Sequence, residues 1–436
     1  MQNTKHKNSI IKCALMSVIT VYISLSAPLH ATEFVTELKH GYSAEKAYAL
    51  HNEWSLPKFL VPTETGAYSY LHLGEFLPQA IIYREGKVSL LEQKTDKKVG
   101  QITLPNKEGK SLTLESMIND KASPVQGVMV LHKGKVVFEQ YSGMRKNDNH
   151  VWMSNAKPVA SLLIAQLEEE GKIDVSKPLS TYMKKTVGTA WENIKIIDIL
   201  NMQTGLDLAE SYKNRKNPNS SIMQFFAAEL GAPNSKGIKQ THNQALFSIK
   251  ALKEPGQAFE YSSANTQMLG LLIEAVTGRK IVDLISERIW SLAGMTGDAT
   301  IALSPQGNAI IHGLISSRLV DMARFGLLYT PSWSKTASEQ VVSKSAIIKI
   351  QQGGKAENYI KDPSVANMLT KRFGEKPLFN SYQWDAVFSD GDFYKGGMNG
   401  QGIYVSPEKD VVVAWFATGF AEISMESFAR KIALSY

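Results

Sequence analysis

Two strand patterns at opposite ends of one long segment constrain the fold of this chain most strongly. Residues 125–141 place apolar stretches on both sides of the turn-forming His132-Lys-Gly-Lys135, which predicts a β-hairpin. Residues 402–416 repeat this arrangement around Ser406-Pro-Glu-Lys409. Helical patterns fill the sequence between the hairpins. We therefore expect an α/β (α+β) domain whose sheet is assembled from distant parts of the chain, beside a helical lobe over roughly residues 172–390.

The predicted helices divide the rest of the chain. They span residues 154–170, 194–202, 263–277, 281–292, 318–329 and 422–434. Residues 32–122 are rich in aromatic side chains and interrupted by prolines, and no chemical motif lies within them. We expect this part to be an N-terminal extension that packs on the domain at residues 123–436 or forms a rim over its site.

The first 31 residues predict a secretory signal peptide. Three lysines precede a short apolar core at residues 13–25, and small residues follow as far as Ala31. An uncleaved signal-anchor helix is the alternative. Cleavage would place the mature protein in the periplasm or outside the cell. It would also remove Cys13, the only cysteine, and with it any thiol nucleophile, disulfide or thiolate metal ligand.

Charge and hydropathy exclude two further classes of partner. The formal net charge is +7 for the whole chain, and removal of the three leader lysines leaves +7 − 3 = +4. This excess is spread along the chain without a basic run, so we expect no nucleic-acid partner. After residue 31 no apolar stretch approaches the roughly 20 residues of a membrane span, so we expect none in the mature chain. The oligomeric state stays open.

Ser154-Asn-Ala-Lys157 opens the first predicted helix of the domain and supplies its most reactive residues. Ser-x-x-Lys recurs elsewhere in the chain, but only this copy follows an apolar lead-in and starts an apolar-faced helix. Residues at i and i+3 share one helix face, so Lys157 can reach the Ser154 hydroxyl. Lysine accepts a proton only when neutral, so burial or a nearby cation must lower its pKa. The motif predicts a serine nucleophile with a lysine base; the alternative is a capping serine beside a surface lysine.

Tyr261-Ser-Ser263 forms the second candidate segment. It follows a stretch that contains proline and glycine and immediately precedes the helix predicted at residues 263–277. We expect Lys157 and Lys395 to push the phenol toward phenolate. Tyr261 would then accept the serine proton and later deliver it to the leaving group. The alternative is a packed tyrosine whose hydroxyl is already hydrogen-bonded.

Lys395-Gly396-Gly397 is the third candidate segment, placed just before the second hairpin. Glycine at position 397 would let a substrate backbone approach the strand edge. The backbone N–H groups of Met398 and Ser154 are the candidate oxyanion hole, and the N-terminus of the nucleophile helix adds partial positive charge nearby. A plain turn before the hairpin is the alternative.

No other motif supports a competing chemistry. The histidines lack metal-ligand spacing, and the chain contains neither a Gly-x-Ser-x-Gly elbow nor a phosphate-binding loop. We therefore expect no metal and no cofactor.

In this order the three segments resemble the penicillin-recognising serine hydrolase superfamily. That superfamily includes class C β-lactamases, D-Ala-D-Ala peptidases and esterases of the same fold. Its pattern is Ser-x-x-Lys, then Tyr-x-[Asn/Ser], then a [Lys/His]-x-Gly strand. Other segments are similar to its 6-aminohexanoate-dimer hydrolase-like branch, namely residues 76–81, 200–205, 210–212, 321–326 and 400–405.

The resemblance implies a fold and a set of roles. The fold is that of β-lactamases and D,D-peptidases, an antiparallel sheet flanked by helices plus an all-α lobe. Ser154 would be the nucleophile, Lys157 and Tyr261 the proton-handling pair, and Tyr212 a contact to the scissile amide. Lys395 and Gly397 would belong to the substrate-binding strand.

Three positions depart from the superfamily pattern. Pro158 stands where Ser or Thr is usual and removes a backbone N–H close to Ser154. Ser263 replaces the asparagine typical of β-lactamases. The strand motif Lys-Gly-Gly lacks the hydroxyl that helps to hold a β-lactam carboxylate. The second and third departures weigh against a lactam substrate, and Pro158 leaves room for a binding protein that does no chemistry.

The sequence thus predicts an exported serine hydrolase that cleaves small ester or amide bonds through an acyl-enzyme on Ser154. A D,D-carboxypeptidase or β-lactamase, and a non-catalytic binding protein on the same fold, are the alternatives.

Overall fold

The computed structural model of the protein describes residues 33–361 and 363–436, so the predicted signal peptide at residues 1–31 lies outside the described part of the chain. None of the helices within that part has the length and apolarity of a membrane span.

The strands, numbered β1 to β14 in chain order, span Gln79–Ile82, Glu92–Gln93, Thr103–Pro105, Ser111–Thr113, Val125–His132, Lys135–Tyr141, His150–Val151, Ala299–Ala302, Ile315–Ser317, Phe379–Ser381, Trp384–Val387, Phe393–Gly396, Gly402–Ser406 and Val411–Ala417. The α-helices, numbered α1 to α18, span Glu33–His40, Ala44–Glu53, Leu56–Leu60, Glu64–Leu71, Lys97–Gly100, Leu114–Asn119, Lys157–Glu169, Ile196–Leu200, Tyr212–Lys216, Ser221–Glu229, His242–Phe247, Ser263–Thr277, Ile281–Ile285, Leu319–Leu327, Lys344–Gln352, Ala356–Tyr359, Pro363–Phe373 and Met425–Leu434.

The large sheet confirms the predicted fold class. Its strand order is β10-β11-β12-β13-β14-β5-β6-β2, antiparallel throughout except for the parallel pair of β2 and β6. The two predicted hairpins, β5–β6 and β13–β14, are both present, and β14 pairs with β5 in the middle of the sheet. Strands from opposite ends of the domain therefore form the centre of one sheet.

Both faces of this sheet are buried, and apolar side chains along each central strand alternate between the two faces. Met129 and Leu131 of β5 belong to a core shared with α7, α12 and α14. Val128 and Val130 point the other way, into a core closed by α18. Side chains two apart on a strand share a face, so one strand serves two hydrophobic layers.

The predicted helices are present, most of them with shorter α-helical bounds. The helix at 263–277 coincides with α12. The nucleophile helix starts with a 3₁₀ turn at Met153–Ala156 and becomes α-helical at Lys157. The range 172–390, for which the sequence predicts a helical lobe, also contains strands β8 to β11. These strands have only three or four residues each, too few for a period-two pattern to identify them.

A smaller sheet, with order β1-β8-β9-β7, positions the nucleophile segment. Strand β7 ends at Val151, and the Trp152 N–H continues its pairing with β9 by donating to the Ile315 carbonyl at 2.7 Å. The indole N–H of Trp152 also donates to the Ser317 hydroxyl at 2.8 Å. The chain is therefore fixed on both backbone and side chain two residues before Ser154.

The N-terminal extension packs next to this sheet. Helices α1, α2 and α4 form a small hydrophobic cluster of their own, and strand β1 pairs with β8. Phe59, Tyr70 and Leu73 share a hydrophobic cluster with Val151 and Met153, on the lead-in to the nucleophile. The extension thus contributes part of the support for the candidate site.

Candidate active site

Three segments distant in sequence meet at Ser154. Lys157 begins α7, Ser263 begins α12, and Lys395 lies on β12 near its end. The Lys157 ammonium Nζ lies 3.1 Å from Ser154 Oγ and 3.0 Å from Ser263 Oγ. Ser154 itself is partly exposed, whereas the Lys157 side chain is buried. The arrangement presents a hydroxyl to incoming molecules with an amine behind it.

The surroundings of Lys157 favour its neutral form. Burial is the largest cause, and the neighbouring charge of Lys395 adds to it, which together lower the pKa of Lys157 to about 7. A third contact, from Nζ to the His312 carbonyl at 2.7 Å, requires Lys157 to donate, since a carbonyl only accepts. A neutral amine can donate to His312 and Ser263 and still accept a proton from Ser154.

Tyr261 lies between the two lysines. Its ring centroid is 5.3 Å from the Lys157 Nζ and 4.9 Å from the Lys395 Nζ, and its hydroxyl accepts from Lys395 at 3.1 Å. The Ser154 hydroxyl is a further polar neighbour of the phenol and acts to lower its pKa. Burial, reinforced by the carboxylates of Asp385 and Glu210, nevertheless raises the pKa of Tyr261 well above its ordinary value. The expectation that the lysines push Tyr261 toward phenolate is therefore wrong in direction, and the phenol keeps its proton.

Asp385 is a partner of Lys395 that the sequence reading missed. Both of its carboxylate oxygens lie 2.8 Å from the Lys395 Nζ, and one also accepts from the Gly396 N–H at 3.0 Å. Strand β11 carries Asp385 directly across from Lys395, because Ala386 pairs with Tyr394 in the antiparallel register. Burial lowers the pKa of Lys395, and Asp385 opposes that shift.

Gly397 fits a gap that admits no side chain. A Cβ atom there would lie 2.9 Å from the Asn155 Nδ2 and 3.0 Å from the Trp152 carbonyl oxygen. The strand end thus packs directly against the nucleophile turn, which brings Met398 to the wall of the same cavity as Ser154. At Gly397 the close neighbours are therefore Asn155 and Trp152 of the protein itself, in the place where the sequence predicts a substrate backbone.

The segment after Met398 is held by the N-terminal extension. Asn399 adopts the left-handed conformation, with φ of 62°. Its side-chain amide donates to the Tyr70 hydroxyl at 2.8 Å, and its carbonyl accepts from the Gly419 N–H at 2.8 Å. Tyr70 is buried and comes from α4. A residue of the extension therefore fixes the backbone next to the candidate oxyanion donor.

Glu210 and Arg215 form a second group that motif reading missed. The Glu210 carboxylate accepts from the Ser263 N–H and is paired with the Arg215 guanidinium. Arg215 also contacts the Met398 sulfur at 3.6 Å. Despite its burial, the positive charges of Arg215 and Lys157 lower the pKa of Glu210. No spacing rule connects Glu210 with Ser263, since three helices, α9 to α11, and the loops between them separate the two residues.

A cavity of about 440 Å³ opens onto Ser154. Met398 and Tyr212 line it, whereas Tyr261 and Lys395 are not among the described residues of its wall. The Tyr212 side chain is 67% exposed, with the Lys216 Nζ 4.2 Å from its ring centroid. Tyr212 is thus at the cavity mouth, and its contact to a scissile amide stays a prediction.

The structure accommodates Pro158 and shows the roles of two other Ser-x-x-Lys copies. Pro158 lies in the first turn of α7, where backbone N–H groups have no intrahelical partner in any case. The Ser154–Lys157 contact forms with this proline in place. Two other Ser-x-x-Lys copies are helix caps, since Ser43 and Ser55 accept from the N–H of Lys46 and Lys58.

Comparison with known proteins agrees with this architecture. The sequence profile of the Beta-lactamase family matches residues 113–435. A 6-aminohexanoate-dimer hydrolase from Paenarthrobacter ureafaciens is 25% identical over 366 residues, covering 84% of this chain and 85% of that protein. A solved structure described as a putative 6-aminohexanoate-dimer hydrolase from Bacillus anthracis superposes with a TM-score of 0.70 at 21% identity, over 87% of this chain and 95% of that one. EstCE1, a hydrolase with promiscuous acyltransferase activity, gives 0.53 at 15% identity over 71% and 93%.

The chain therefore belongs to the Beta-lactamase family and is a serine hydrolase of the β-lactamase fold.

Proposed function

We propose that the protein is an exported hydrolase of small ester or amide substrates, with Ser154 as its nucleophile. The observation that carries the proposal is the contact of a buried amine, Lys157, with the partly exposed Ser154 hydroxyl at 3.1 Å. Because the pKa of this amine is about 7, a large share of the molecules hold it ready to accept a proton near neutral pH.

Acylation begins with proton transfer from Ser154 Oγ to the neutral Nζ of Lys157. The serine oxygen attacks the carbonyl carbon of the substrate, and the carbonyl oxygen becomes an oxyanion. The N–H groups of Ser154 and Met398 then hold that oxyanion. Each such donor contributes on the order of 10²–10³ in rate when it is aimed at the developing charge.

Collapse of this intermediate requires a proton for the leaving group. The Tyr261 phenol supplies it, because its raised pKa keeps it protonated and the Ser154 hydroxyl is its neighbour. Lys395 at 3.1 Å stabilises the phenolate that forms for a moment. The protonated Lys157 then returns a proton to Tyr261.

Deacylation repeats these steps with water as the nucleophile. Neutral Lys157 accepts a proton from the water that attacks the acyl carbonyl. Ser154 leaves as the alcohol after protonation, which regenerates the starting state.

The test compares wild type with Ser154→Ala. The variant should lose hydrolysis of a p-nitrophenyl ester while its thermal unfolding stays nearly unchanged. A fluorophosphonate probe should label the wild type and leave the variant unlabelled, which also separates an enzyme from a binding protein. Full activity in Ser154→Ala would refute the assignment.

A β-lactamase or D,D-carboxypeptidase activity is the second candidate, on the strength of the family. The contacts of Lys395 weigh against it. Its Nζ is already engaged by both oxygens of Asp385, by the Tyr261 hydroxyl and by the Gly396 carbonyl, so it has no donor left for a substrate carboxylate. Incubation with a fluorescent penicillin tests this. A lasting adduct or turnover of the lactam would favour the second candidate.

The proposal of export rests on the sequence of residues 1–31. Expression of the full chain in a Gram-negative host, followed by N-terminal sequencing of the periplasmic fraction, should find a mature protein that starts after Ser26 or Ala31. An uncut chain in the membrane fraction would instead indicate a signal anchor.

A further inference from the structure

The cavity beside Ser154 has one apolar wall, and most of it comes from the N-terminal extension. The side chains on this wall carry no charge and share aliphatic or aromatic character; they are Trp54, Leu56, Pro57, Phe59, Leu60, Val61 and Leu77. Met153 and Leu314 continue it toward the nucleophile. The match to the Beta-lactamase family model begins at residue 113, so these seven side chains lie N-terminal to the matched residues.

Three of the charged side chains on the other wall, Glu210, Arg215 and Glu229, have partners within the protein. Arg215 is paired with the Glu210 carboxylate. Glu229 lies 2.6 Å from the His312 Nε2 and 3.2 Å from the Nε2 of His242. Burial alone would raise the pKa of Glu229, but its contacts with His312 and His242 outweigh burial and lower that pKa to about 2, so the carboxylate stays ionised.

The remaining cation on this wall is Lys216. Its Nζ rests 4.2 Å from the Tyr212 ring centroid, at the exposed mouth of the cavity. Within the described lining, Lys216 is therefore the charged side chain without an ion pair, and it is exposed at the mouth of the cavity. A charged group placed against the apolar wall would lose its hydration without gaining an ion pair there.

The position of Tyr261 decides which half of a substrate lies in this cavity. The leaving group must reach the Tyr261 phenol, and Tyr261 does not line the cavity within the described residues. Ser154 and Met398, which would hold the carbonyl, do line it. The half of the substrate that extends from the carbonyl into the cavity is then the acyl half.

We propose that this cavity is an acyl-binding site for uncharged aliphatic chains, so that the enzyme prefers esters and amides of medium-chain fatty acids. This inference rests on the proposed function, because it concerns what acylates Ser154. The volume of the cavity, about 440 Å³, falls in the usual range of small-molecule sites, roughly 300–1,000 Å³. The apolar wall gives each methylene a place to be removed from water.

The first test is a series of p-nitrophenyl esters, from acetate through butyrate and hexanoate to octanoate, which keeps the leaving group constant. Burial of one methylene should raise kcat/KM about fourfold until the cavity is full. p-Nitrophenyl 6-aminohexanoate, which adds an ammonium to the far end of the hexanoate chain, should react at least about tenfold more slowly than the hexanoate. A flat series, or equal rates for these two esters, would overturn the proposal.

The second test fills the cavity from its apolar wall. Leu60→Trp should lower the ratio of octanoate to acetate kcat/KM by about tenfold, because the longer chain loses its space. This ratio does not depend on the amount of folded enzyme. The matched control is Leu90→Trp, since Leu90 is 88% exposed and does not line the cavity. An unchanged ratio in Leu60→Trp would also overturn the proposal.

The two levels of failure are distinguishable. Turnover of the acetate ester with labelling of Ser154, but without a chain-length gain, would reject only the acyl-binding site. Absence of both turnover and labelling would reject the proposed function itself.

Discussion

Replacement of Lys157 by methionine removes a buried amine while keeping a side chain of similar length. Lys157 is 0% exposed, and burial together with Lys395 lowers its pKa from about 10.5 to about 7. Between these two values the unfolded chain binds a proton that the folded protein does not. The free energy of unfolding of the wild type therefore rises with pH across this window, by up to about 1.4 kcal/mol per pH unit.

The magnitude follows from the same two values. At pH 7 about half of the folded molecules still carry the proton, so the gain between pH 7 and pH 9 is about 2 kcal/mol. Lys157→Met lacks the titrating group in both states and should lose this gain. All other ionisable groups are common to both proteins, so the difference between their pH dependences isolates Lys157.

The assay is urea unfolding of the two mature proteins at pH 7 and pH 9, extrapolated to zero denaturant. The control is Lys107→Met, because Lys107 is exposed and its variant should follow the wild type. Equal pH dependences for wild type and Lys157→Met would refute a lowered pKa. In the wild type, kcat/KM should also rise with pH through about 7 as Lys157 loses its proton.

The remaining predictions concern the neighbours of the nucleophile. Tyr261→Phe should slow amide hydrolysis by about 10²–10⁴-fold and p-nitrophenyl ester hydrolysis far less, since p-nitrophenolate leaves without a proton; equal losses on both substrates would argue against a proton donor. Asp385→Asn leaves the buried Lys395 without its counter-charge and should lower the free energy of unfolding by about 3–5 kcal/mol, measured by urea unfolding against the exposed control Asp120→Asn. Tyr70→Phe removes the hydrogen bond to Asn399 and should lower stability by about 1 kcal/mol while reducing kcat more than it changes KM; an unchanged kcat would separate this contact from catalysis.

The sequence alone predicts the placement of residues that are fixed by local helix or strand geometry. The spacing of Ser154 and Lys157 on one helix follows from helix geometry alone, and it is unaffected by Pro158 because the first turn tolerates proline. The central hairpins were readable because each strand has five or more residues. In the structure β14 pairs with β5, and this pair joins the two hairpins into one sheet.

The sequence was insufficient where function depends on pairing between distant segments. Asp385 faces Lys395 only because β11 and β12 pair in one register, and a shift by one residue would turn Asp385 to the other face. The turn at Asp390-Gly391 between these strands is the signal that could have set this register. Glu210 reaches Ser263 through a loop, for which no such signal exists.

The direction of the Tyr261 pKa shift shows a different limit. Two lysines nearby suggested a phenolate, but burial is the larger effect and two carboxylates accompany the lysines. Neither the burial nor the carboxylates can be read from the motif around Tyr261. In the mechanism that we propose, Tyr261 therefore only delivers a proton to the leaving group, whereas the sequence predicts that it first accepts the serine proton.

Trapping the acyl-enzyme tests whether Ser154 is the nucleophile. Wild-type protein is mixed with excess p-nitrophenyl ester, quenched in acid within the first turnover, digested and analysed by mass spectrometry. We expect one acyl group per chain, located on the peptide that contains Ser154, and none in Ser154→Ala. An acyl group on another residue, or p-nitrophenol release without any adduct on wild type, would rule out Ser154 as the nucleophile.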